Sequence, residues 1–452
     1  MAAAEPVCAQ SPPAPVQHSQ STSTYSAIVQ VQLQPAPTPD ESRAAVTLTL
    51  QTALERTLSS NPDLIAVRQN LRVSAEAVQV ARLLPTNLNP TASVDVRPWV
   101  FGVTPSGGTE RLESTIAVTW SQPVELGART AKRTAIAHAE YEQTHWNIVQ
   151  AELLALVQTY RAYQTAVYRR DKLRVARELA ELNGQLLQVL QHQWEANQVP
   201  AADVVLANVE NLSAQQRVEA AEQEYVDALA VLRQQIGIVE LADSAEPDGR
   251  LEAPQDATAG DDEGLVQTAL CVRPEIQAAR AQVDRSRAAL CLARADRIPI
   301  PSVGPVYEKN ESGSSFYGMA VSTPIPVWNA GGRLVTQREA EYHRDAVALE
   351  QTQQRVIVQV KTSATRWNRA QQLAAKTTTM MQPLAEHEAR MERLFTAGQT
   401  DLVKLLQVRQ RWLDGANTQL DTTWQATQAY ADLLASLGGV TLLGLLPVQP
   451  NG

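Results

Sequence analysis

Val356 to Leu384 reads VIVQVKTSATRWNRAQQLAAKTTTMMQPL. Val356, Val360, Ser363, Trp367, Ala370, Ala374, Thr377, Met381 and Leu384 follow one another in steps of four and three. That alternation is a coiled-coil seam, in which one narrow stripe of a helix stays turned toward a partner helix. The surrounding residues extend the helix from about Leu334 to Thr396, with Pro383 as a predicted kink. At 1.5 Å per residue such a helix is roughly 100 Å long, more than a compact core can use. Ala397-Gly398-Gln399 then turns the chain, and a return helix ends at Leu437-Gly438-Gly439.

The same plan stands earlier in the chain. Pro62-Asp63-Leu64 is echoed by Pro274-Glu275-Ile276, and Arg82 and Arg294 each lie twenty residues past their proline. Ser121-Gln122-Pro123 is echoed by Ser322-Thr323-Pro324. Each of these last prolines precedes a turn residue, Asn197 or Gly398, by 74, and that residue precedes Gly237 or Gly438 by 40. Only the stretch before Ser-x-Pro is elastic, 61 residues from Pro62 to Pro123 against 50 from Pro274 to Pro324. Constant helical spans around one elastic loop mark a duplicated structural unit. The first copy's long helix, expected from about Leu126 to Ala196, carries Val149, Leu153, Leu156, Tyr160, Tyr163 and Val167 at seam spacing. After a phase slip Val175, Leu179, Leu182, Leu186 and Val189 resume it, and Asn197-Gln198-Val199-Pro200 reverses the chain. The return helix places Val218, Ala221, Tyr225, Ala228 and Leu232 at heptad spacing.

Ahead of each long helix the period falls to two. Ala92, Val94 and Val96 alternate with Ser93, Asp95 and Arg97, and Ile116, Val118 and Trp120 alternate with Ala117, Thr119 and Ser121. These are the arms of a β-hairpin at about 91–122. A second hairpin, with poorer alternation, is expected at about 302–323 around Asn310-Glu311-Ser312-Gly313. Trp99, Phe101, Trp120, Tyr307, Phe316, Tyr317 and Trp328 fall at the strand margins, as in the aromatic belts of membrane barrels. The plain alternative is that aromatic residues favour strands.

The expected organisation is a tail at 1–46, a first repeat at 47–238 with its tip turn at about 196–200, and a linker at 239–262. A second repeat follows at 263–439 with its tip turn at about 397–400, then a tail at 440–452. Thr47 to about Leu84 reads as helix restarted at Asn61-Pro62-Asp63. Residues 1–46 are rich in Pro, Ser, Gln and Thr and read as disordered; they lack an apolar h-region, which leaves open a gene start upstream of Met1. Cys8 reads as an incidental tail cysteine, with a lipid-carrying cysteine as the alternative. Cys271 and Cys291 lie in helical patterns and are expected to pack as small apolar residues.

The 452 residues are 44% hydrophobic but only 5% aromatic, a composition suited to long Ala-, Leu- and Val-rich helices. The net charge of −9, without a dense basic patch, argues against nucleic acid as a partner. No apolar run of transmembrane-helix length is present. His18, His138, His145, His192, His343 and His387 are scattered, and neither a metal-ligand set nor a phosphate loop nor a nucleophile elbow stands in the sequence. The reading is therefore not an enzyme, with no cofactor and no metal.

Four strands per chain are too few to close a barrel, and strands in a bilayer must close to satisfy their backbone groups. At this point the chain resembles the TolC-like outer-membrane efflux proteins, or outer membrane factors, over about Leu48 to Gly438. The resemblance rests on Ser121-Gln122-Pro123-Val124-Glu125-Leu126-Gly127-Ala128-Arg129 and Pro324-Ile325-Pro326-Val327-Trp328-Asn329-Ala330-Gly331-Gly332. The tip turns Ala196-Asn197-Gln198 and Ala397-Gly398-Gln399 also correspond in place. Within the family, the Gln122-Pro123-Val124-Glu125-Leu126-Gly127 segment followed by Arg129 and Lys132-Arg133 looks most like the cobalt-zinc-cadmium branch.

The resemblance implies a mainly α fold with a small β part. Three chains would share a 12-stranded β-barrel in the outer membrane and an α-helical barrel through the periplasm. It implies as partners two further copies, outer-membrane lipid, a periplasmic adaptor and, through it, an inner-membrane pump of RND or ABC type. Its site residues are the tip positions Asn197, Asp203, Gly398, Asp401, Lys404 and Gln407, and the strand-to-helix junctions Pro123, Gly127, Pro324, Gly331 and Gly332. Family members carry acids about six and nine residues after the second tip glycine; Lys404 and Gln407 stand there in this chain, so an acidic double ring is not expected. The function implied is a passive conduit for metal-ion or small-molecule efflux. A channel for type I protein secretion and, from another class, a soluble coiled-coil scaffold are the alternatives.

Overall fold

The computed structural model describes residues 47–83, 85–97, 101–103, 109–111, 114–238, 246–254, 262–310 and 312–438. The expected tails at 1–46 and 440–452, with Cys8, lie outside them, as do Trp99 and most of the linker. Everything below concerns the unit formed by residues 45–452.

Its first repeat starts with β1 (Thr47–Leu48), α1 (Leu50–Ser60) and α2 (Pro62–Arg82). Thr49 caps α1 by accepting from the Thr52 N–H, and Asn61 caps α2 by accepting from Asp63 and Leu64, with Pro62 at the first helical position. Next come β2 (Thr91–Arg97), β3 (Phe101–Val103), β4 (Thr109–Arg111) and β5 (Thr115–Pro123), then α3 (Arg129–Glu195) and α4 (Ala201–Gln235). The second repeat follows β6 (Glu246–Pro247). It comprises α5 (Asp262–Val272), α6 (Pro274–Ala295), β7 (Ser302–Lys309), β8 (Ser315–Ser322), α7 (Gly332–Thr396) and α8 (Leu402–Leu437).

The two hairpins join into one antiparallel sheet of order β2-β5-β7-β8. Thr91 pairs with Ser121, Pro123 with Ser302, and Ser302 in turn with Ser322. Among the described residues β2 and β8 each have one neighbour, so each presents a free edge. All seven residues of β2 are exposed, and on β8 Tyr317 and Val321 are 83% and 72% exposed. A sheet with free edges is an unfinished object.

The helices supply the core. Tyr160 and Leu156 of α3, Val356, Val360 and Trp367 of α7, and Ala426, Tyr430 and Leu433 of α8 share one buried cluster with Leu54 and Ile276. A second cluster joins Tyr163 and Val167 to Leu232 and Ile236 at the end of α4. Each such apolar side chain contributes about 1.5–3 kcal/mol by leaving water. The rings of an aromatic-poor chain are concentrated here as well as at the strands. Tyr168 stacks on Trp424 at 5.2 Å, and Trp367 and Tyr430 lie 5.1 Å apart.

Several expectations need correction. Cys271 and Cys291 are exposed, because both fall on outward faces of α5 and α6, so they are not packed apolar residues. Val189 is 49% exposed, because Leu186 and Leu190 carry the buried stripe of α3 at that level. Thr47–Leu48 is not helix. It pairs in parallel with Glu246–Pro247, and Tyr163 Oη ties the two segments by donating to Leu48 O (3.0 Å) and Asp248 O (2.7 Å). Part of the expected linker is thereby strapped across α3, with Arg170 donating to Pro247 O and Gly249 O. Pro383, the expected kink position, lies inside the span of α7.

Candidate functional site: two tip turns and two strand-to-helix junctions

The first junction is built tightly. Pro123 ends β5, and the Val124 N–H donates to Pro301 O at 2.7 Å. Gly127 (φ 79°) and Ala128 (φ 55°) then swing the chain into α3, in the left-handed region. A Cβ on Gly127 would stand 3.4 Å from Ile298 Cδ1. The buried Arg129 guanidinium donates to Ala295 O (3.1 Å) and Ile298 O, and its Nε lies 3.2 Å from Asp296. Glu125 receives Arg133 and the Thr130 hydroxyl (2.7 Å), and the hydrogen bond from Arg133 holds its carboxyl below the ordinary glutamate value. The motif 121–129 is thus a lock between α3 and the end of α6.

The second junction has no such cover. After β8, Pro324 is exposed, Ile325, Val327 and Trp328 are 78%, 72% and 98% exposed, and Gly331 (φ 74°) opens α7 with its N–H on Asn329 Oδ1 at 2.9 Å. A Cβ on Gly331 would stand 3.4 Å from Arg297 Cγ, whereas one on Gly332 would meet nothing within 4 Å.

At the other end both tips turn alike. Asn197 (φ 56°) and Gly398 (φ 69°) hold the left-handed position, with the Gln198 N–H on Gln193 O (2.8 Å) and the Gln399 N–H on Leu394 O (2.9 Å). The turns are brought together by Leu186, Leu190, Ala207, Leu402 and Leu405, with Phe395 packed against them. Asp203 sits half-buried in the first turn of α4. Asp401 is the exposed N-cap residue of α8 without a side-chain cap bond, and Lys404 and Gln407 are exposed further along α8. Gln407 alone of these enters the groove of about 270 Å³ between α4 and α8, beside Leu206, Glu210, Val403, Leu406 and Gln410.

Reading outward from the tip glycines missed the charged cluster behind them. Arg409 is 5% exposed, 3.2 Å from Glu392 and 3.7 Å from Glu388, and its Nη1 reaches Leu182 O of α3 at 3.5 Å. The signal was the Glu388/Glu392 pair four residues apart on the seam side of α7. Burial raises the Glu388 carboxyl above its ordinary value of 4.5, and the charge of Glu392 pushes the same way against Arg409. A carboxyl raised by folding favours the folded state most below pH 4.5, and that contribution is lost as pH rises through the raised value. Glu388→Gln is therefore expected to flatten the fall of Tm with pH, read in thermal melts from about pH 4 to about pH 8. A slope identical to that of the parent protein would assign the effect elsewhere.

Comparison with known proteins agrees with this geometry. Residues 265–439 match the family model "outer membrane efflux protein". The chain is 23% identical over 305 residues to the cobalt-zinc-cadmium resistance protein CzcC of Cupriavidus metallidurans, covering 67% of this chain and 69% of that protein. Its fold is similar to that of a membrane protein from Pseudomonas aeruginosa (TM-score 0.71, 17% identity, 87% of this chain and 91% of that one). CusC is similar at TM-score 0.69 and 16% identity, over 86% of this chain and 92% of that one. The open-state MtrE outer membrane channel of Neisseria gonorrhoeae is similar at TM-score 0.67 and 18% identity, over 86% and 89%. Duplicated junction motifs, a second repeat that matches the outer membrane efflux protein model and a fold shared over most of the chain make it similar to the TolC-like outer-membrane efflux proteins.

Proposed function

We propose that the protein is the outer-membrane subunit of a tripartite efflux system, a passive conduit that works as a ring of three copies. The free edges of the four-stranded sheet carry this reading. Strand directions alternate along β2-β5-β7-β8, so β8 of one copy can meet β2 of the next antiparallel, and three copies close twelve strands. Inside the chain, repeat one meets repeat two through β5 on β7 and α3 on α8. The same meeting, continued outward, sets β8 on the next copy's β2 and α7 on its α4.

Both helices carry a spare exposed stripe for that contact. Val358, Arg369, Leu373 and Met380 run down α7, while Val205, Val209, Leu212, Glu219 and Val226 run down α4. Apolar residues lie toward the ends of both stripes.

In this reading the tips close by coiled-coil contacts around Asn197 and Gly398, and a periplasmic adaptor seated in the groove of Leu206, Leu406 and Gln407 splays them. Asp203, Asp401, Lys404 and Gln407 give the mouth mixed charge. The adaptor links the channel to an inner-membrane pump of RND or ABC type, which supplies the energy. Likeness to a protein named for cobalt-zinc-cadmium resistance favours metal ions as cargo.

The test is the purified protein in planar bilayers, together with a strain lacking the gene. The expected outcome is a detergent-extracted three-chain particle with discrete conductance steps, and lost tolerance to cobalt, zinc or cadmium. Recovery without detergent as a soluble monomer would end the channel reading.

A further inference from the structure

Repeat one closes the entrance of α2 with a short side chain. Asn61 caps that helix and also donates from Nδ2 to Gln235 O at 2.9 Å, tying it to the end of α4. At the matching place before α6 repeat two has Arg273, which makes no side-chain cap bond. Its guanidinium is turned inward instead. The residue is 7% exposed, Nη2 lies 3.5 Å from Glu275, and Nε and Nη1 are buried with no hydrogen-bond partner among the described residues. Glu275 is shared with Arg355. Two buried cationic donors left open are costly and call for an acceptor.

Arg273 lines a groove of about 420 Å³ between α7 and α8, together with Gln359, Thr362, Arg366 and Asp432. Asp432 is engaged by Arg161, and Arg366 has no ion-pair or hydrogen-bond partner among the described residues. The matching groove of repeat one, between α3 and α4, holds Arg161 and Arg169 as well as Glu224 and Asp227. Arg169 is paired with Glu224 and Arg161 with Asp432. In repeat two, glutamines 425 and 428 occupy the places of Glu224 and Asp227. One groove is balanced, and the other keeps two arginines with no acid of its own to spare.

We propose that the groove between α7 and α8 is an oxyanion site, in which Arg273 and Arg366 hold a soluble carboxylate or phosphate. Guanidinium groups present N–H donors in a planar fork that suits two oxygens of one ligand and discriminates against chloride. Arg366 lies about 50 Å along α7 from the strand end, too far for a membrane headgroup, so the ligand is a periplasmic solute. The equivalent groove of repeat one stays open at about 490 Å³ beside α8, so the α7–α4 contact proposed between copies is compatible with access.

Equilibrium dialysis of the full-length protein with radiolabelled inorganic phosphate, against chloride at constant ionic strength, tests this. Saturable binding of one phosphate per chain is expected. Arg366→Gln, at an exposed position, is expected to weaken binding at least about tenfold, and Arg273→Lys similarly, as for loss of hydrogen bonds to a charged ligand. Asp227→Asn should leave binding unchanged. No saturable binding, equal binding in all variants, or binding seen only in Asp227→Asn would overturn the proposal. The last result would mean that a neighbouring copy's carboxylate fills the groove.

Discussion

Gly304→Ala is expected to abolish assembly of the protein in the outer membrane. Gly304 sits on β7 directly against β5, where a Cβ would lie 1.8 Å from Trp120 O and 2.7 Å from its carbonyl carbon. Both obstacles are backbone, so no rotamer change relieves them. The flanking pairs Thr119–Val306 and Gln122–Val303 would have to separate. β5 on β7 is the only described strand pairing between the two hairpins, so its loss leaves two isolated hairpins, each marginal in water. Overpacking alone costs ~1–3 kcal/mol, and an overlap this deep exceeds that range. The measurement is the yield of detergent-extracted oligomer, expected to fall at least about tenfold. Gly318→Ala on β8 is the control, since a Cβ there meets nothing within 4 Å. Equal loss in both variants would contradict the steric account.

Gly237→Ala is expected to be the most damaging single methyl group in the helical part. The residue ends α4 at φ 70°, and a Cβ would stand 2.3 Å from Ser60 O at the end of α1. Left-handed strain adds ~1–2 kcal/mol to that overlap. The same corner holds the Asn61–Gln235 bond and the buried Ile236, so displacement there loosens α1, α2 and α4 together. Thermal melts should show a Tm several degrees below the parent. Asparagine separates strain from crowding, because it tolerates the left-handed region. Gly398→Asn at the open tip should be nearly neutral, as Asn197 already shows in the first turn, whereas Gly237→Asn should fail like alanine. Similar melts for the two asparagine variants would remove Ser60 as the cause.

What was legible in the sequence is what periodicity controls. The step of four and three along Val356–Leu384 and the alternation around Val94 and Val118 reflect which side of an element is buried, and each depends on neighbours one turn away. The Glu388/Glu392 pair was the local signal, but Arg409 between it and Leu182 was not legible, because these partners come from α7 and α3 and lie far from it in sequence. The strap of Thr47–Leu48 on Glu246–Pro247 escaped for the same reason, two residues being too few to show a period. Cys271 and Cys291 were misread because cysteine is usually buried, while their helices turn them outward. The junction motifs were legible as a resemblance. That one is locked by Arg129 and the other bare around Trp328 is a property of how the two repeats meet.

The most direct test concerns the free edges. The internal pairing of Val118 on β5 with Tyr307 on β7, carried over by the spacing of the repeats, sets Met319 of one copy opposite Val96 of the next. Directly opposed residues on antiparallel strands stand ~4.5–5.5 Å apart at Cα, within disulfide reach. Val96→Cys combined with Met319→Cys, with Cys8, Cys271 and Cys291 replaced by serine, should give disulfide-linked species ending at three chains on a non-reducing gel. Each single variant should run as one chain. A membrane-inserted double variant that stays monomeric under oxidation, or that stops at two chains, would contradict closure of the sheet between three copies.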